Sequence, residues 1–205
     1  SEWPVLVQRV RRMFDLDADG EAMCRALSAD PVLAARLAAH PGLRLPGAWD
    51  GFELCVAELV GAAEVSREAL CRIVGTHGQV HPGAPPGLGF VFPSADRLAV
   101  VELESLGLQR AIAQRIRALA VAVRDGGLHF GVGQEREAFV QRLREATQWP
   151  AERAQWIALR VLGDPDACCW PPAQADAAAR WRPGRGRAWL EDARMRRCRE
   201  ELVHA

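Results

Sequence analysis

Apolar residues recur along this chain at three- and four-residue intervals, the spacing of one helix face. Val7, Val10, Met13 and Phe14 mark a first amphipathic helix. Asp30 and Pro31 read as the N-cap and first residue of a short helix that stops before Pro41 and Gly42. Phe52, Cys55, Val56, Leu59 and Val60 form one face of the next helix. Ser66 is expected to cap another, which carries Leu70, Ile73 and Val74 and ends at Gly75. Residues 78–90 hold seven Gly or Pro and no periodicity, which predicts a loop dividing two helical lobes. Ser94 caps a short helix through Val101. Leu108, Ile112, Ile116, Leu119 and Val123 then trace a long helix to Gly126 and Gly127. Phe139, Val140 and Leu143 mark another helix, and Ile157, Leu159 and Val161 the one after a tight turn. Residues 169–172 break the pattern, and a last helix is predicted over 187–202. No stretch alternates as a strand would and no internal repeat is present, so the fold class is all-α.

Apolar residues make up 49% of the 205, enough for one large domain or two small lobes with a real core. All 26 basic residues are Arg, balanced by 26 acidic ones. Without Lys, no side-chain amine is available for Schiff-base chemistry, which excludes a lyase-coupled reaction through lysine. Zero net charge means that any contact with nucleic acid rests on a local patch or is weak. Arginines crowd the C-terminal region (Arg180, Arg182, Arg185, Arg187, Arg194, Arg196, Arg197, Arg199), interleaved with Glu191, Asp192, Glu200 and Glu201. Both a solvated helix face and a phosphate-binding face fit that mixture. Cys24, Cys55 and Cys71 occupy apolar helical positions. Cys168 and Cys169 are adjacent, and no Cys-x-x-Cys occurs among the six cysteines, so neither a metal site nor a cofactor is expected. Reduced thiols, no signal peptide and no apolar run of membrane length predict a soluble cytoplasmic protein without a membrane partner.

Four collinear stretches carry a resemblance. Arg44-Leu45-Pro46-Gly47 is followed by Asp50-Gly51-Phe52-Glu53-Leu54 and Leu59-Val60-Gly61. Phe92-Pro93-Ser94 precedes Leu106-Gly107-Leu108 and the long Arg-rich helix. Ile157-Ala158-Leu159-Arg160 leads into Leu162-Gly163-Asp164-Pro165-Asp166-Ala167, and Trp181-Arg182-Pro183 comes last. In this order and spacing they resemble the DNA-3-methyladenine glycosylase II family of the helix-hairpin-helix DNA glycosylases. The resemblance covers roughly residues 5–190. It implies one glycosylase-like domain over 1–205, two-lobed and helical. The lobes would span 30–77 and 91–163, with the terminal helices completing the second. A cleft lined by residues 60–66 and 147–156 would separate them. The family's β-rich N-terminal subdomain has no visible counterpart in this sequence.

Residue by residue, the family's working parts are altered. Its hairpin Leu-Pro-Gly-Ile-Gly-Pro-Trp-Thr-Ala falls on Ala146, Thr147, Gln148, Trp149, Pro150, Ala151, Glu152, Arg153 and Ala154. The family's hairpin glycines let the backbone approach a DNA phosphate and donate N–H groups to it. Pro150 has no N–H to give and Gln148 adds a side chain. The catalytic Asp position is occupied by Pro172, and Asp176, one turn on, is the candidate replacement carboxylate. The Gln-Gln pair of the strand-invading loop is Ala62 and Ala63, which fill little of the hole an extruded base leaves. Ser66 follows in the same loop region. Gly184 stands where an aromatic follows Trp-Arg-Pro, while Trp156 keeps an aromatic of the base pocket. The DNA-facing set is therefore Gln148, Trp149, Pro150, Ala151, Arg153, Ala62, Ala63 and Ser66, with Trp156 as the base-pocket residue.

These departures favour a catalytically impaired domain tied to alkylation-damage repair, acting in DNA binding or regulation. Its expected partners are duplex DNA, bound weakly, and a fused or separate DNA-repair or regulatory domain. An active monofunctional glycosylase using Asp176 is the alternative. A protein-interaction module on the same scaffold is the second alternative.

Overall fold

A computed structural model describes residues 3–163 apart from 43, 45, 62, 63, 86–88 and 132. The described residues form nine α-helices, one 3-10 turn and two short strands. They fall into two compact units. One holds the residues up to Trp49 together with those from Gln155, and the other is Asp50–Ala154.

The first unit contains α1 (Trp3–Met13), α2 (Gly20–Leu27) and α3 (Pro31–Ala39). Asp19 caps α2, its carboxylate accepting the Ala22 N–H at 2.9 Å. Ala18, Met23 and Leu27 are buried together, with Ala26 and Leu37 packed against them. Arg44 secures the connection ahead of α2 by donating to the Ala18 carbonyl at 2.6 Å. The neighbouring Pro46, Gly47 and Ala48 run between the end of α1 and α9 (Ala151–Leu162). The Gly47 N–H donates to Met13 O at 3.1 Å, and the Ala48 N–H to Arg160 O at 3.1 Å. The Arg160 Nε–H returns a bond to Pro46 O at 3.1 Å. The Arg-x-Pro-Gly stretch is thus a backbone splice, and its glycine is required by close approach. A Cβ there would lie 2.6 Å from the Arg12 carbonyl oxygen.

The second unit is built on α4 (Gly51–Val60), α5 (Glu64–His77), α6 (Ala95–Leu98), α7 (Arg110–Arg124) and α8 (Arg136–Thr147), with the first turn of α9. Asp50 caps α4 by accepting the Glu53 N–H at 2.9 Å. Gly51 lets the ring of Phe130 sit against the start of α4; an added Cβ would come within 2.5 Å of it. Most of the expected apolar positions form the core, among them Phe52, Cys55, Val56 and Leu59 from α4, Ile73 from α5, Ile116 and Leu119 from α7, and Phe139 and Leu143 from α8, joined by Ala113 and Ala120 of α7, while Val60, Leu70, Val74, Ile112 and Val123 are half-buried. Edge-to-face ring pairs, Phe52 with Phe92 and Phe130 with Phe139, extend that core. Ser94 caps α6, accepting the Arg97 N–H at 3.3 Å.

Three local expectations are corrected. α5 begins at Glu64 and continues to His77, so Ser66 lies inside its first turn and Gly75 does not end it. The helix expected from Ser94 to Val101 is only four residues long, and a 3-10 turn, Leu103–Leu106, follows it. The 78–90 segment lies within the second unit and contains an antiparallel hairpin. There Gln79 pairs with Val91 and Val80 with Phe90. Gly78 permits it, because a Cβ there would meet the Val74 and Val91 carbonyls at 2.4 and 2.7 Å. The predicted break at 169–172 and helix at 187–202 lie outside the described residues.

Candidate nucleic-acid interface

The turn joining α8 to α9 places five of the expected DNA-facing residues side by side. α8 ends because Gln148 adopts the left-handed conformation, φ +58° and ψ 30°. That geometry suits glycine, the residue the family pattern has at this position, and costs a side-chain-bearing residue about 1 kcal/mol. Gln148 recovers part of the cost through its side chain, whose amide donates to Glu145 O at 2.8 Å and satisfies a carbonyl of the last helical turn.

The amides of the turn are committed internally. The Gln148 N–H donates to Arg144 O at 2.8 Å. The Trp149 N–H donates to Thr147 Oγ1 at 3.3 Å, and the same hydroxyl donates to Leu143 O at 2.6 Å. Pro150 has no N–H. Thr147 is fully buried, so its two hydrogen bonds lock the turn from inside. Trp149 is buried too, at 8% exposure, so its indole belongs to the core and not to a DNA-facing surface. Gln148, Pro150, Ala151 and Arg153 are exposed.

Arg153, in the first turn of α9, is paired with Glu58 of α4 across 95 residues of sequence. Glu58 is not legible as a site residue in the sequence, because no local pattern links it to α9. Ser66 donates its hydroxyl to Val60 O at 3.0 Å, which ties the start of α5 to the end of α4 around Gly61. Gly61 itself sits at φ +104°. Trp156 lies further along α9, in the first unit, and its ring is covered by the Arg160 guanidinium at 5.2 Å. Ala62, Ala63, Pro172 and Asp176 lie outside the described residues. Among the described residues no group of three or more His, Cys, Asp or Glu could hold a metal ion, and no helix is long and apolar enough to cross a membrane.

The helical architecture is that of the helix-hairpin-helix DNA glycosylases. A 3-methyladenine DNA-glycosylase from Archaeoglobus fulgidus superposes with a TM-score of 0.69 at 16% identity, over 95% of this chain and 73% of that one. The 8-oxoguanine glycosylase/lyase of Clostridium acetobutylicum, solved with double-stranded DNA containing cytosine opposite 8-oxoG, gives 0.65 at 16% identity, over 93% and 73%. In sequence, the chain is similar over most of its length to AlkA-type DNA-3-methyladenine glycosylases. The family model of the AlkA N-terminal domain matches residues 1–50. Part of the N-terminal domain therefore does have a counterpart here, and its described residues carry helices α1–α3. A probable bifunctional transcriptional activator/DNA repair enzyme AlkA of Mycobacterium tuberculosis is 34% identical over 88% of this chain and 40% of its own length. DNA-3-methyladenine glycosylase 2 of Escherichia coli is 28% identical over 89% of this chain and 68% of its own. The chain thus spans well under half of the mycobacterial relative.

Proposed function

We propose that this chain is a DNA-binding domain of alkylation-damage repair that binds duplex DNA weakly and does not excise bases. It would act in the cytoplasm as a regulatory or damage-associated part beside a fused or separate repair domain. The observation that carries the reading is the α8–α9 turn. Gln148 is left-handed, a conformation that would suit a phosphate-binding hairpin, yet the N–H groups of Gln148 and Trp149 are spent within the protein and Pro150 has none. Such a turn can lie against a backbone phosphate but has few donors left for it.

The chemistry argues the same way. Departure of an alkylated base builds positive charge on the sugar, which a carboxylate stabilises far more in the transition state than in the ground state. Proline at 172 supplies no such charge, and alanines at 62 and 63 offer no wedge. One observation favours a second reading, an active monofunctional glycosylase. One relative is named a DNA repair enzyme and another a DNA-3-methyladenine glycosylase, and Asp176 follows Pro172 by four positions in the sequence.

The test is excision of 3-methyladenine and 7-methylguanine from duplex DNA. No release is expected from the wild-type chain, and none from Pro172→Asp, because Ala63 and Gly184 remain. Robust wild-type release that Asp176→Asn abolishes would establish the second reading. A band-shift series across salt separates DNA binding from a protein-interaction role, since phosphate contacts give a salt-dependent affinity and a purely protein-binding module gives no shift.

A further inference from the structure

The Glu58–Arg153 pair sits at the proposed DNA-facing turn, and it changes what that turn offers to DNA. Between Thr147 and Ala151 the chain carries no charge, and the first turn of α9 adds Glu152 and Arg153. Arg153 is therefore the basic side chain of this segment. Its guanidinium is half-exposed, at 48%, so it is placed to meet a ligand. Yet it is held by the carboxylate of Glu58, whose side chain is 23% exposed. Glu58 rises from α4, on a turn whose other residues, Cys55, Val56 and Leu59, face the core. Helix α4 is fixed by that burial, so the carboxylate is presented from a rigid base.

We propose that Glu58 is a built-in phosphate mimic that restrains DNA binding at this turn. The inference rests on the reading of the α8–α9 turn as the DNA-facing surface. For Arg153 to contact a backbone phosphate it must exchange the carboxylate for the phosphate. That exchange leaves an anionic Glu58 facing an anionic backbone. The pair also cancels a charge that would otherwise displace condensed counterions from DNA on binding. An arginine already neutralised gains little from their release, so the salt dependence of binding is flattened. Glu58 thus acts twice, by occupying the cation and by repelling the ligand.

The test is fluorescence anisotropy with a short labelled duplex, titrated across salt, on the whole chain. Glu58→Gln is expected to tighten binding about three- to tenfold at low salt and to steepen the slope of log K against log salt by about one unit. Glu58→Ala, which also removes the charge, should give the same gain. Arg153→Gln alone should give no gain and should weaken binding, because it leaves the Glu58 carboxylate unopposed at the turn. In the Glu58→Gln background it should reverse both the gain and the steeper slope. That reversal separates release of Arg153 from the mere loss of a negative charge. If wild type binds DNA and Glu58→Gln matches it in affinity and slope, the restraint is disproved while the DNA reading stands. If no variant binds even at low salt, both fall together.

Discussion

Gly47 and Arg12 pass so closely that a Cβ on the glycine would stand 2.6 Å from the arginine's carbonyl oxygen. Neither partner is a flexible side-chain end, so the clash is relieved only by moving backbone. Moving it would strain the bonds from Gly47 N to Met13 O and from Ala48 N to Arg160 O. Gly47→Ala is expected to lower stability by roughly 1–3 kcal/mol, read from urea or thermal unfolding. A melt indistinguishable from wild type would mean that this splice yields freely.

Gln148 holds a positive φ that glycine occupies at little steric cost. Gln148→Gly should raise stability by about 0.5–1 kcal/mol, reduced somewhat by loss of the bond to Glu145 O. Gln148→Val should lower it by more than about 1 kcal/mol, since a β-branched residue fits that region poorly. The pair of thermal shifts, opposite in sign, is the signature of a left-handed backbone at Gln148.

His77, the last residue of α5, buries both ring nitrogens without a hydrogen-bond partner among the described residues. Burial, with Arg97 adding repulsion, holds its pKa below the ordinary value of 6.5. The unfolded chain therefore takes up a proton before the folded one does. Stability is held above about 6.5 and declines as pH falls through that value toward the lowered folded one. Denaturation midpoints between pH 7.5 and about 5 should fall for wild type and less steeply for His77→Phe. Parallel curves would show that the ring gains solvent or a partner when charged.

Cys55 is fully buried, and that burial, with Glu58 and Asp50 adding to it, holds its thiol well above the usual range. Cys24 and Cys71 are exposed. Under native conditions iodoacetamide should label Cys24 and Cys71 within minutes and leave Cys55 untouched until the protein is unfolded. Peptide mass mapping reads each site separately. Early labelling of Cys55 would show that α4 opens readily.

The long apolar faces were legible because burial repeats at the helical period. Ile116 and Leu119 of α7, and Phe139 and Leu143 of α8, are in the core as their spacing implies. The hairpin was not, because two-residue strands are too short to alternate, and Val80, Phe90 and Val91 are exposed. Ser66 looked like a cap since it is the right residue before an apolar run, but its hydroxyl is taken by Val60 O. Arg44 to Gly47 was visible as a motif while its role was hidden, because Arg160 lies 114 residues from Pro46. At the candidate site the altered hairpin residues were readable one by one. What they do depends on Thr147 closing the turn from within and on Glu58, 95 residues from Arg153.

The backbone splice from Pro46 to Ala48 also has a meaning in time. Its partner, Arg160, is made last among the described elements, and the whole second unit is encoded between them. On a ribosome adding 5–20 residues per second, roughly a hundred intervening residues keep the N-terminal helices waiting for about 5–20 s. Pro46 and Ala48 emerge into that interval with α9, which carries their partner Arg160, not yet synthesised. The inserted unit has all its own core residues in hand before the outer one can close. The nascent chain therefore completes its middle first and its beginning last, and the interval before closure is when the early helices are open to chaperones or to mispairing.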